Sequence, residues 1–422
     1  MSLVAEVAVE TLAGRSDRFE CQLNSDVNIF FGENGTGKTG LLKILHGALA
    51  LQNGSLAVVA FTRARVWVEP NHSLPDVRTF HRPEELDLLL SDIAPRGRGY
   101  SQSILDDLVR SDNFGWSIEQ FNPQKRPASK AAASGTKPVI SRPSDRVKSR
   151  DAALHRARHA VMHGYLPITR LTTDVIRSNR YYSQSGASGG DDVDMDEFFS
   201  ESLQDRWKTY TNRVLSNVRR AQEDALAQVL EVVLSPVAPD ESAVDDINTE
   251  QAYQRVISFL GRQRSSKRLG IDLKKLEFGR EYRADPKLRR VVNLIDQVEG
   301  RIEEIMKTRV ALQDLVTELM GQNKTVYFTD EAIYVELNSR QQRIGLARLS
   351  CGEKQLLRIL VETMMAGNNP IIIDEPELSM HIDWQRRLLS AMRTVNPDAQ
   401  IIVATHSPEI MADYDDDKVF SL

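Results

Sequence analysis

The sequence predicts an α/β fold in which a parallel sheet carries a phosphate-binding loop and a helical, coiled-coil-like arm interrupts the chain. Three observations predict it. Val27–Phe31 is an apolar run that leads into Gly32-Glu-Asn-Gly-Thr-Gly-Lys-Thr39 and then into a segment of helical periodicity. Two further apolar runs, Pro370–Ile373 and Ile401–Ala404, stand near the other end of the chain and read as buried parallel strands. Between the two clusters lie long stretches whose apolar residues recur at helical spacing.

Residues 1–112 form the predicted N-terminal lobe. Gly32-x4-Gly37-Lys38-Thr39 is a complete P-loop pattern. It sits between a strand and the helix marked by Leu41, Ile44, Leu45, Ala48 and Leu49. Glycines let backbone N–H groups curl around a phosphate, and a helix N-terminus favours the anion. Asn34, Gly35, Thr36, Gly37, Lys38, Thr39 and Gly40 are therefore candidate nucleotide contacts. Lys38 is placed to reach the β and γ phosphates, and the Thr39 hydroxyl to ligate Mg²⁺. Leu56–Phe61 and Ala64–Val68 read as a strand pair, and residues 84–93 as a short helix.

Residues 113–160 change character. From Phe121 to Arg150 the chain holds Pro123, Pro127, Pro138 and Pro143, and eight basic residues against one acid, Asp145. This reads as a flexible basic insertion. Its attraction for phosphate leaves nucleic acid open as a partner. No aromatic residue is interleaved after Phe121, which argues against base stacking, and a solvated loop with no partner is the competing reading. In residues 161–200, Tyr165–Arg170 reads as a strand that rejoins the sheet. Thr169 or Arg170 either faces the nucleotide or simply ends the strand. Ser183–Asp196 carries Asp191, Asp192, Asp194 and Asp196 among glycines, and a solvated acidic loop is favoured over a metal site.

Residues 201–322 are the predicted arm. Trp207, Tyr210, Val214, Val218, Ala221, Ala225 and Val229 keep one face of a long helix. Ile295, Val298, Ile302, Ile305, Leu312, Val316 and Leu319 fit a heptad, with Arg309 off the pattern. Two limbs suggest an antiparallel coiled coil or helical bundle; packing on the rest of the protein is the alternative.

Residues 323–422 form the predicted C-terminal lobe. Lys324–Phe328 and Ala332–Leu337 read as a hairpin. Ser350-Cys-Gly-Glu353 is a capping box ahead of a helix marked by Leu356, Leu357, Leu360 and Met364. Such an end binds anions, although capping rules do not say which. Asp374 and Glu375 stand at the C-terminal end of a buried strand, where an α/β sheet presents its ligand crevice. Asp374 suits Mg²⁺, and Glu375 suits orienting or deprotonating an attacking water. His406, delivered by the strand 401–404, is a candidate γ-phosphate sensor. Asp413–Lys418 reads as an exposed acidic turn before a last strand, Val419–Leu422.

Together these motifs resemble those of the ABC-class ATPases. Leu349-Ser-Cys-Gly-Glu-Lys-Gln355 is similar to their signature motif, with Cys351 where glycine is commonest. The resemblance implies an ABC-type P-loop ATPase head, ATP and Mg²⁺ as cofactors, and Ser350, Gly352 and Glu353 as contacts to ATP held by a second copy. It therefore implies an ATP-sandwiched dimer unit. Glu375-Pro-Glu-Leu-Ser-Met-His381 resembles the soluble RecF-like, SMC-like and OLD-type branch more than the transporters. Closest in look are stand-alone ATPase subunits of prokaryotic anti-phage systems, such as that of the PARIS system. OLD nucleases carry a metal-dependent nuclease domain after the ATPase, and the residues after His406 are too few for one. The expectation is an ATP-dependent scaffold or sensor controlling a separate effector, a nuclease or toxin, supplied in trans. The alternative is an SMC/RecF-like DNA-binding ATPase in DNA repair.

Composition bounds the rest. A chain of 422 residues can hold two or three domains. A formal charge of −5 neither requires nor excludes nucleic acid. Cys21 and Cys351 form no metal spacing or disulfide framework, which fits a reducing cytoplasm. No signal peptide or long apolar span is read, so a membrane is not an expected partner.

Overall fold

The computed structural model describes residues 2–52, 56, 59–71, 73–82, 116–120, 160–167, 195–235, 248–262, 275–321, 323–339 and 341–422. The basic insertion over 121–150, the helix expected at 84–93, Thr169, Arg170 and the acidic stretch from Ser183 to Asp194 lie outside the described residues. In chain order the described strands are β1 (Leu3–Glu10), β2 (Arg18–Gln22), β3 (Val27–Phe31), β4 (Arg63–Glu69), β5 (Asp76–His81), β6 (Ser117–Gln120), β7 (Gly164–Leu166), β8 (Lys324–Phe328), β9 (Ile333–Leu337), β10 (Gln342–Ile344), β11 (Ile371–Asp374), β12 (Ile401–Thr405) and β13 (Val419–Ser421). The helices are α1 (Lys38–Ala50), α2 (Met195–Leu234), α3 (Thr249–Arg262), α4 (Lys275–Ala284), α5 (Pro286–Met320), α6 (Cys351–Ala366), α7 (Ile382–Val395) and α8 (Pro408–Met411). They group into two compact units, one of Met1–Glu201, Glu318–Gln322 and Ile344–Leu422, the other of Ser202–Thr317 and Asn323–Arg343.

In the first unit the central sheet runs in the order β13-β3-β12-β11-β7. Its neighbours are all parallel, with Asp374 beside Ala404 and Thr405 beside Phe31. Strands covered on both faces need continuous apolar runs, and Ile371, Ile372, Ile373, Ile401, Ile402 and Val403 are all fully buried. The parallel register has one decisive consequence. The loop after Phe31, the acids after Ile373 and the histidine after Thr405 all leave the sheet at the same edge.

An antiparallel sheet, β2-β1-β4-β5-β6, makes the other layer. Val7, Val9, Ala64, Val66 and Phe80 from it share a core with Leu41, Leu45 and Ala48 of α1. Within the strand expected at Leu56–Phe61, the described residues Leu56 and Val59–Phe61 are not in a strand. β4 pairs instead with β1 and β5, and Leu56, Val59 and Phe61 are buried plugs in the core around α1. A short apolar run fits either role, and here burial against a helix wins.

The far end of α1 is held by a buried ion pair. Arg78 is fully buried, and its guanidinium grips both Asp76 carboxylate oxygens at 2.7 and 3.2 Å. It also donates to the carbonyls of Ala48 and Leu49 at 2.6 and 3.3 Å. The last carbonyls of a helix lack intrahelical partners and attract cations. One side chain thus satisfies both a buried carboxylate and the end of the P-loop helix.

The second unit is helical with a small sheet. The face expected on α2 is observed: Trp207, Tyr210, Val214, Ala221 and Ala225 are buried, and Val218 and Val229 half-buried. On α5, Ile295, Val298, Leu312 and Val316 are buried, and Ile302 and Ile305 half-buried. Between these limbs the chain adds α3 and α4, whose Ala252, Val256, Phe278 and Tyr282 form a cluster with Val292 and Ile295. The arm is therefore more than two bare limbs.

Arg309, off the heptad, is explained by the β8–β9 hairpin. Its guanidinium donates to the Phe328 carbonyl at 2.6 Å, pairs with Asp330 and lies over the Trp207 ring at 5.7 Å. Trp207 Nε1 donates to Thr329 O at 2.7 Å. Gln204 makes a two-way bond with the Ile333 backbone, 2.5 Å as donor and 2.9 Å as acceptor. These bonds give a physical reason for the hairpin to group with the helices of the second unit, where the sequence had set it in the C-terminal lobe.

Candidate functional site

The P-loop is shaped by its glycines. Gly37 caps α1 at φ +103°, a left-handed conformation, and an added Cβ would lie 3.0 Å from Leu12 Cγ and 3.1 Å from Ala13 Cβ. Glu33, Asn34 and Gly35 form an exposed crest, while Thr36, Thr39 and Gly40 are half-buried. Lys38 opens the helix and is 5% exposed. Its ammonium donates to the carbonyls of Gly32 at 2.6 Å and Glu33 at 2.9 Å. The loop thus curls around its own lysine.

The acids arrive from β11. Asp374 is fully buried, and Glu375 follows at 7% exposure with φ +48°. A non-glycine residue held there is strained, and such strain concentrates at functional sites. The Glu375 backbone N–H donates to Ala404 O at 2.8 Å, which fixes the turn. One carboxylate oxygen accepts from His406 Nδ1, and the other lies 3.9 Å from the Lys38 ammonium. Burial first, and the nearby Glu377 charge second, push the Glu375 carboxyl above the usual carboxylate range; the His406 bond pulls the other way. P-loop lysine, strand-end acid and histidine are therefore in one contact group.

Thr39 and Asp374 offer a hydroxyl and a carboxylate, hard oxygen donors of the kind Mg²⁺ takes. Asp374 also acts on its surroundings. The Tyr165 phenol is made less acidic by burial first and by the Asp374 charge second. Tyr165 stacks on His46 of α1, ring centroids 4.2 Å apart, so the strand that rejoins the sheet packs beside the P-loop helix.

At the signature segment the capping box is complete. Ser350 caps α6, its hydroxyl accepting from Glu353 N at 3.4 Å while Glu353 Oε2 accepts from Ser350 N at 2.8 Å. Ser350 and Cys351 are exposed. Gly352 is buried, and a Cβ there would lie 2.3 Å from the Ser379 carbonyl oxygen. Ser379 itself sits at φ +64°. Gln355 Nε2 donates to Pro376 O at 2.5 Å, and the buried Lys354 pairs with Asp196 at 2.5 Å.

Glu377 escaped the sequence reading as a site residue. It is 5% exposed, and its Oε1 accepts from the Thr405 hydroxyl at 2.5 Å, His406 N at 2.9 Å and Ser407 N at 3.2 Å. Gln385 was missed too; it accepts from Ser407 Oγ at 2.7 Å and donates to Met380 O at 3.0 Å. Neither carries a local sequence signal, because both act on residues distant in the chain. Glu375, Glu377 and His406 also bring three ligand-type atoms within 4.8 Å of one another. Each is already engaged, His406 Nδ1 with Glu375 and Glu377 with Thr405 and two backbone N–H groups.

A parallel sheet with a P-loop, a strand-end Asp–Glu pair, a histidine on the neighbouring strand and a capped helix brings together the parts of a P-loop ATPase site. The family described as "AAA domain, putative AbiEii toxin, Type IV TA system" matches residues 191–412, just over half of the chain. The chain belongs to that family.

It is similar to the "Retron Ec83 probable ATPase" of Escherichia coli, 26% identical over 130 residues that make 24% of each chain. It is also similar to the "Retron Vc95 probable ATPase" of Vibrio cholerae serotype O1 biovar El Tor, 28% identical over 81 residues, 16% of each chain. The matched part thus spans a quarter or less of the length of these curated relatives. Among solved structures, the Smc head domain with an extended coiled coil bound to the C-terminal domain of ScpA, from Pyrococcus furiosus, gives a TM-score of 0.42 at 11% identity, covering 100% of this chain and 93% of that one. The Smc head domain with a coiled coil and joint from Pyrococcus yayanosii gives 0.34 at 13% identity, covering 100% and 95%. Among the described residues no helix is long and apolar enough to cross a membrane.

Proposed function

We propose that this chain binds and hydrolyses ATP at the sheet edge and uses the cycle to control a separate effector in a defence system. The observation that carries the hydrolytic part is Glu375, a buried carboxylate held between His406 and Lys38. A carboxylate whose proton affinity is raised is suited to take a proton from water near neutral pH. The Lys38 ammonium would exchange the Gly32 and Glu33 carbonyls for β and γ phosphate oxygens, while the loop N–H groups receive the rest of the anion. Thr39 and Asp374 would hold Mg²⁺, which supplies neutralisation of phosphate charge when bound. His406 would read the γ phosphate through its other ring nitrogen.

Ser350 is exposed at a helix N-terminus, where an anion is stabilised. In this proposal it closes over ATP on a second copy, with Gly352 and Glu353 behind it. The assignment to defence is supported by the two relatives named as retron ATPases and by a family description that names a toxin–antitoxin system. The effector, a nuclease or toxin acting in trans, and a cytoplasmic setting are part of the same proposal.

Glu375→Gln is the test. Turnover is expected to fall by about 10²–10⁴-fold, the usual worth of a general base, with ATP binding retained. With ATP this variant should accumulate as a closed oligomer, visible by size analysis. A monomer under those conditions would sink the two-copy model, and undiminished turnover would remove Glu375 as the base. DNA repair is the second reading, motivated by the basic residues between Lys125 and Arg150. It requires ATP-dependent DNA binding with a steep salt slope that disappears when that segment is deleted.

A further inference from the structure

We infer that Glu377 is a positioning residue: its buried carboxylate fixes the strand end that carries His406 and aims the Nδ1 proton of that histidine at Glu375. The inference rests on the hydrolytic reading above and adds a residue to it.

A carboxylate removed from water is costly unless it is fully hydrogen-bonded. Glu377 offsets that cost through one oxygen, Oε1, while its Oε2 is buried with no hydrogen-bond partner among the described residues. The three bonds to its Oε1 come from Thr405, His406 and Ser407, consecutive residues at the C-terminal end of β12. One oxygen therefore holds the whole turn in which the histidine sits. The same oxygen lies 3.2 Å from His406 Nδ1, and that nitrogen is also bonded to Glu375. With both carboxylates ionised, a ring nitrogen facing them carries the proton, because a bare lone pair would face negative charge from both sides. This assigns the tautomer and leaves Nε2 free of that constraint on a side chain that is 47% exposed.

Glu377 holds the histidine from one side. On its other side the loop is held by Gln355 of α6, through the Pro376 carbonyl at 2.5 Å. Glu377 thus lies between the signature helix and the histidine.

The test compares Glu377→Gln with Glu377→Ala in the full-length chain. Glutamine keeps an acceptor oxygen for the three bonds but removes the charge; alanine removes both. Glu377→Ala is expected to lower kcat by about 100-fold, the scale of a 1 Å misplacement, with KM for ATP little changed. Glu377→Gln should recover much of that loss, because the acceptor oxygen for the three bonds is kept. In ¹⁵N spectra of histidine-labelled protein, His406 should carry its proton on Nδ1 in the wild type and in Glu377→Gln, and lose that preference in Glu377→Ala, where the turn is no longer held. Equal losses in both variants, with the ring tautomer the same in wild type and Glu377→Ala, would reduce Glu377 to a structural carboxylate and overturn the inference. The tautomer readout needs no turnover. A wild-type chain that fails to hydrolyse ATP would therefore refute the hydrolytic reading while the spectra still decide the role of Glu377.

Discussion

The sheet edge and the hairpin of the helical unit bury polar side chains in opposite ways. Around the hairpin, Trp207, Gln204 and Arg309 end on backbone groups of Thr329, Ile333 and Phe328, the last two in strands and the first in the turn that joins them. At the sheet edge, Lys38, Glu375 and His406 end largely on one another, on Glu377 or on the P-loop, while Glu377 itself holds the end of β12. Partners that are part of a strand cannot be exchanged without breaking the strand. Partners that are side chains, or carbonyls of a glycine-rich loop, can be traded for a ligand. The first arrangement makes a scaffold and the second makes a switchable site, although both satisfy the same rule for buried polar groups.

Substitutions can break this contrast, the largest effect first. Trp207→Ala removes a fully buried indole and its bond to Thr329, and should cost about 3–5 kcal/mol of unfolding free energy in urea. Glu375→Gln should leave the unfolding midpoint almost unmoved while removing most turnover. If Glu375→Gln destabilises the chain as much as Trp207→Ala does, the site is a scaffold after all.

Arg309→Met should come next. It keeps an unbranched apolar stem but removes the guanidinium over Trp207 and leaves the Phe328 carbonyl short of a donor, at a cost of about 1–3 kcal/mol. Turnover per folded molecule should not change. Ser350→Ala should be the smallest in stability, about 1 kcal/mol for a lost N-cap. Its effect on ATP-dependent association should be much larger, and an association constant that tracks only the stability loss would demote Ser350 to an ordinary cap.

A pH titration sharpens the same contrast. Glu375 must be ionised to accept a proton, and its proton affinity is raised, so turnover should begin to fall at a pH above the ordinary carboxylate range. Activity is retained on the alkaline side of that limb and lost on the acid side. An acid limb at the pH of a free glutamate would mean that burial and Glu377 do not act on the base.

What the sequence revealed was local. The P-loop between Val27–Phe31 and Leu41, and the Ser350–Glu353 box, depend on spacings within a few residues, and both appear as read. The strand order could be anticipated only in outline, yet the three apolar runs did mark β3, β11 and β12. Failures came where the physics is long-range. Leu56–Phe61 has strand-like composition but its burial is decided by α1. Arg309 looks like a heptad error until the hairpin is beside it. Glu377 looks like loop decoration because the groups it holds lie 28 to 30 residues further along the chain.

The contact between Gly352 and Ser379 carries a consequence for how such chains can change. Position 352 has to stay bare because the carbonyl of a different segment fills the space a methyl would take. Two stretches separated in the gene are thus one object in heredity. A chimaera that imports the signature segment from a relative, but keeps its own Pro376–His381 loop, inherits half a lock. Recombination should succeed where both stretches travel together and fail where they are split.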